Sequence, residues 1–136
     1  MIKKVLFFRG LITSFGVSLS LIALTPSWAQ PPFQNPLQVE TFADPLLPKI
    51  PVIRPLSPLE QLRLKEALDR LNQQAQQLYQ EGKVEEAFQV WYRELRLRQK
   101  LDPIEEVEAL GRVGEIAWQE NRSLDFRNIE ERLRVR

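Results

Sequence analysis

The chemically active side chains of this 136-residue sequence are carboxylates and guanidinium groups, because histidine and cysteine are both absent. The commonest general base and metal ligand is therefore missing. So are thiolate chemistry and any disulfide framework. The carboxylates come in pairs, Glu85-Glu86, Glu105-Glu106 and Glu130-Glu131. Paired acids can divide general acid and base roles or hold a cation. Here most of these pairs stand in the first turn of an expected helix or beside arginines, where capping and solvation account for them. No Gly-rich phosphate loop is present. The sequence predicts no enzyme, no catalytic residue, no metal site and no cofactor. Taking Lys3, Lys4 and Arg9 from the 19 basic residues leaves 16 against 18 acidic ones, a net charge of −2. That near-balance argues against a nucleic-acid partner.

The chain is organised around Leu71 to Leu95, which reads as two antiparallel helices folded over Gly82. Glycine suits the left-handed position that ends a helix. Ala75 and Ala87 flank the bend and let the helices approach, while Leu71, Leu78, Phe88, Trp91 and Leu95 fill the seam. The first helix starts with Ser57 as N-cap, Pro58 in the first turn and Glu60 completing a capping box. Its apolar stripe is Leu64, Leu68, Leu71, Ala75 and Leu78. The second helix is expected from Val84 to about Leu101. Its basic residues Arg93, Arg96, Arg98 and Lys100 read as a solvated, dipole-compensating face, with a cationic docking patch as the alternative. Glu94 and Arg98 form an i,i+4 pair worth a few tenths of a kcal/mol.

Asp102-Pro103 announces a third helix, with apolar positions Val107, Leu110, Val113, Ile116 and Ala117. Gly111 and Gly114 cost roughly 1 kcal/mol each inside a helix, relative to alanine. Gly114 is expected to be a close-packing point, because it lies where Ala75 lies in the first helix. From Ala75 to Gly114 and from Gly82 to Asn121 the spacing is the same 39 residues. Asparagine can replace glycine at a helix C-terminus, so this is an internal repeat. A fourth helix, about Leu124 to Arg136, carries Phe126, Ile129 and Leu133 on one side. The expected fold class is all-α, four helices in antiparallel hairpins over residues 58–136.

Ala75, Leu78, Gly82, Ala87 and Trp91 stand at the spacing of a tetratricopeptide repeat (TPR), which this stretch resembles. The pattern departs at Gln74, where the family carries a large apolar residue, and at Glu94, where it carries a small one. The order of Pro-rich segment, Arg54-Pro55-Leu56-Ser57-Pro58-Leu59-Glu60 and the Trp91-to-Arg98 helix is also similar to exported repeat proteins of cyanobacteria. In TPR-like stacks the first helix of each unit lines a concave groove. The resemblance therefore implies groove positions Asn72, Gln76 and Tyr79 in the first unit, and Gly111, Glu115 and Trp118 in the second. Asn72, Gln76, Tyr79, Glu115 and Trp118 are the partner-binding candidates it supplies, amides and aromatics that suit an extended peptide. The alternative is that Tyr79 and Trp118 seal the contact between successive hairpins.

Residues 1–29 read as a secretory signal peptide. Lys3, Lys4 and Arg9 precede an apolar run, and Ser27-Trp28-Ala29 places small residues at a cleavage site. The mature chain is expected to begin at Gln30 and to reside in a periplasm, a thylakoid lumen or outside the cell. The alternative is a membrane anchor over residues 5–24. Residues 30–57 form a Pro-rich linker; eight prolines run from Pro31 to Pro58, the last of them opening the first helix. The linker reads as an extended tether, with Leu46-Leu47 and Val52-Ile53 as groups that could dock on the helices. The expected function is an exported, non-catalytic module for protein–protein interaction or assembly, binding a protein or peptide. The alternative is a structural, envelope-associated spacer without a specific ligand. Two hairpins bury little surface, so self-association or membership of a longer array is expected as well.

Overall fold

Ser57 sets the first helix in place. Its hydroxyl accepts from the Glu60 amide, and the Glu60 carboxylate accepts from the Ser57 amide at 2.7 Å. Arg54 holds that carboxylate from the other side and, with the Ser57 bonds, takes its pKa down to about 2. A computed structural model of the chain describes residues 34–38, 44–48 and 54–136. The expected signal segment and Val52-Ile53 lie outside the described residues. The helices are α1 (Pro58–Gln80), α2 (Val84–Arg98), α3 (Pro103–Gln119) and α4 (Ser123–Arg134). The protein is all-α among the described residues, with no strand.

Both hairpin turns are built alike, and both match the sequence reading. Gly82 has φ 80° and Asn121 has φ 55°. The amide of Lys83 donates to the Leu78 carbonyl at 2.9 Å, and 39 residues later Arg122 donates to Ala117 at 2.8 Å. Each closes a Schellman motif and satisfies a carbonyl that the helix end leaves free. Asp102 caps α3 through the Ile104 amide at 2.8 Å. α2 stops at Arg98 rather than Leu101. The amides of Lys100 and Leu101 turn back to Leu97 and Arg98 in three-residue steps, and Asp102 must be extended to cap.

The crossing residues Ala75 and Ala87 are fully buried, and Phe88 meets Trp91 edge to face at 5.3 Å. This core continues through Leu110, Val113, Ala117 and Ile129. A second cluster holds Leu64, Leu68, Leu71 and Leu97. Part of the Pro-rich stretch belongs to the fold and is not a tether. Pro36–Gln38 forms a 3₁₀ turn that buries Leu37 in the main core. Leu47 packs on the second cluster, and Asp44 pairs with Arg93 at 2.8 Å. That bond draws the Asp44 pKa below its ordinary value.

Gly114 is the close approach the repeat implied. A Cβ there would stand 3.2 Å from Ile129 Cγ2, whereas one at Gly111 meets nothing within 4 Å. Ile129 is β-branched and stiff, so it yields poorly. Gly111→Ala is expected to stabilise by about 0.5–1 kcal/mol through helix propensity. Gly114→Ala is expected to cost about 1 kcal/mol net, the clash outweighing the same gain. Urea melts of the two variants check this; equal stabilisation by both would deny the close contact.

Candidate functional site

The first helices of the two hairpins run parallel and are tied by three side-chain bridges, two helical turns apart. Lys65 reaches Glu105 at 2.5 Å, Arg112 donates to Asn72, and the Tyr79 hydroxyl donates to Glu120. Residues seven apart share a helix face, so the ladder follows from the register of α1 against α3. Between the rungs lies a polar cavity of about 390 Å³, with Lys65, Asp69, Asn72, Arg98, Glu105 and Arg112 among its walls.

Beneath this cavity an acid is buried. Glu94 is 0 % exposed, and its Oε1 accepts from Arg98 Nε and Arg112 Nη2, both at 2.8 Å. Arg98 is buried too, and also reaches Asp69 at 3.0 Å and Glu105 at 3.2 Å. Burial opposes the Arg98 charge, but its bonds to Glu94 and Asp69 outweigh that, and its pKa lies above the ordinary value. A second buried acid, Glu106, holds Arg132 at 2.7 Å and Arg136 at 2.5 Å. The basic half of α2 is thus not a solvated face. Arg98 is enclosed, Arg93 carries Asp44, and Arg96 is half-buried. The signal for this was Glu94 itself, an acid at a crossing position that the TPR pattern keeps small.

The five candidate binding residues divide by their surroundings. Asn72 is half-buried and accepts from Trp91 Nε1 at 3.1 Å as well as from Arg112. The Tyr79 ring lies 5.8 Å from Trp91, and its hydroxyl bond to Glu120 raises its pKa. These two are engaged inside the molecule. Gln76 is exposed, as is Glu115, which accepts from Gln119 at 3.3 Å. Trp118 is 69 % exposed, its ring 5.4 Å from Phe126. It overhangs an open cavity of about 530 Å³ rimmed by Arg122, Arg127 and Glu130. Of the two aromatics, Tyr79 seals the contact between hairpins and Trp118 does not. Among the described residues no helix is long and apolar enough to cross a membrane. Comparison with protein-family models, curated proteins and solved structures finds no match.

Proposed function

We propose that this chain is an exported, non-catalytic, TPR-like module that binds a protein, with Trp118, Glu115 and Gln76 on the binding side. The observation that carries it is Trp118. A tryptophan 69 % exposed over an open cavity offers a large area with an indole N–H, the kind of group that anchors protein interfaces. Some of the acids are committed to internal ion pairs. Glu94, Glu105 and Glu106 each hold arginines. Export rests on the signal-like residues 1–29. The spacer reading draws on the ladder, which spends Asn72 and Tyr79 on internal bonds.

The test is recovery of the full-length tagged chain from its host. The expected result is a protein bound in fixed stoichiometry, lost in Trp118→Ala, with a melting temperature close to that of the parent. An indole this exposed should cost far less than the roughly 3–5 kcal/mol of a core aromatic. A chain to which no protein binds, another copy of itself included, would favour the spacer. A stability loss above about 3 kcal/mol would put Trp118 in the core instead.

A further inference from the structure

The internal repeat leaves two unlike faces exposed. Inside the chain, α1 offers Lys65, Asn72 and Tyr79 to Glu105, Arg112 and Glu120 at α3 and its C-cap. Thirty-nine residues on, the first set becomes Ile104, Gly111 and Trp118. All three are exposed, Ile104 by 67 %. Thirty-nine residues back, the second set becomes Glu66, Gln73 and Glu81, also all exposed. The second hairpin thus has an outward face equivalent to the one through which α1 bridges to α3. The first hairpin has an outward face equivalent to the one through which α3 bridges to α1. Of the exposed large apolar residues of the helices, all but Leu124 of α4 follow this division. Leu59 and Leu62 lie on the α1 face at helical spacing with Glu66, and Ile104, Val107 and Trp118 lie on the α3 face.

The hairpin turns repeat the same logic. Glu120 and Arg122 grip the first hairpin: Glu120 takes the Tyr79 hydroxyl, while the Arg122 guanidinium stands 4.3 Å over Phe88 and reaches Glu85 at 2.9 Å. The first turn carries an acid and a base at the same two places, Glu81 and Lys83. These pair with each other at 3.1 Å at the surface. The open cavity beside Trp118 and Phe126 is rimmed by Arg127 and Glu130.

We infer that copies of this chain bind head to tail, the outer face of α1 in one copy docking on the outer face of α3 in the next. This names the partner within the binding-module reading, on which it rests. The register of the internal ladder fixes the pairs. Glu81 of a second copy accepts from the Trp118 indole as Glu120 accepts from Tyr79. Glu66 comes beside Ile104, Arg70 meets Glu108, and Gln77 faces Glu115. Because the two faces differ, the contact is heterologous, and repeated addition builds rings or open filaments rather than a closed two-fold dimer.

The native chain has no cysteine, so single cysteines can report the contact in the full-length protein. Gln77→Cys in one tagged copy and Glu115→Cys in a differently tagged copy should cross-link on mild oxidation. Gln77→Cys paired with Gln89→Cys, on the exposed side of α2, should not. In sedimentation, the parent should grow in mass with concentration, and Trp118→Ala should weaken association at least tenfold. Arg70→Glu should weaken it too, and adding Glu108→Arg should restore it. A parent that stays monomeric, or cross-links formed equally with Gln89→Cys, overturns the inference. So does association indifferent to Trp118→Ala and Arg70→Glu. If the chain stays monomeric but holds a different protein through Trp118, the inference fails while the binding-module reading stands. If it binds neither itself nor any other protein, both fail.

Discussion

Leu37→Ala is expected to lower the stability of the helical domain by about 3 kcal/mol, within the roughly 2–5 kcal/mol range for emptying a buried leucine site. That is a large effect for a residue in a stretch where prolines dominate. The basis is complete burial: Leu37 is 0 % exposed and sits in the main core with Leu95, Leu110 and Ile129. Its backbone is held as firmly as its side chain. The Asn35 amide nitrogen donates to the Asn128 carbonyl at 2.8 Å and to Glu131 at 3.1 Å, and its carbonyl oxygen accepts from the Leu37 amide at 3.0 Å. Gln99 donates to the Leu37 carbonyl at 2.7 Å. With α2 and α4 clamped by these bonds, the site cannot collapse cheaply around a missing side chain. Urea unfolding should show a lower midpoint with an unchanged slope. A loss below about 0.5 kcal/mol would return this segment to the status of a tether.

What the sequence made legible was local. Ser57, Pro58 and Glu60 define a helix start within four residues, and Gly82 and Asn121 define two ends, so caps and turns could be read without tertiary knowledge. The 39-residue repeat followed from those punctuation marks. Gly114 was legible as a contact point only because the repeat placed it at the position that Ala75 holds in the first helix. Leu37 was not legible: one leucine between prolines has no periodicity, and its burial depends on a groove between α2 and α4 that no local pattern announces. The buried ions were misread for a related reason. Arg98 and Glu94 show the spacing of a surface i,i+4 pair, and nothing within α2 reveals that Arg112 of α3 closes over them. Trp118 and Tyr79 looked equivalent at 39 residues' separation. They differ because Tyr79 has a following hairpin to bond with and Trp118 stands on the outward face.

Glu94→Ala should therefore be among the most damaging substitutions outside the apolar core, at about 3 kcal/mol. Glu94 is wholly enclosed and its Oε1 serves two guanidinium groups. Removing it leaves the buried Arg98 charge without its nearest partner, and breaking a buried pair from one side costs roughly 3–5 kcal/mol. The lower end applies because Arg98 keeps Asp69 and Glu105. The same physics makes a second expectation that separates a buried network from a surface pair. Added salt screens exposed charges over about a Debye length but reaches enclosed ones far less. The loss should thus persist in 1 M salt, whereas a pair such as Arg134–Glu130, exposed at the end of α4, should contribute under about 1 kcal/mol and fade. Replacing Glu94 and Arg98 together by apolar residues of similar volume should recover much of the loss, since well-packed apolar groups often match a buried ion pair. Recovery would identify the network's role as specifying how α3 sits against α2 rather than as net stabilisation. A double variant no better than Glu94→Ala would show that Arg98 is needed for its bonds to Asp69 and Glu105, which would then hold the polar cavity together by themselves.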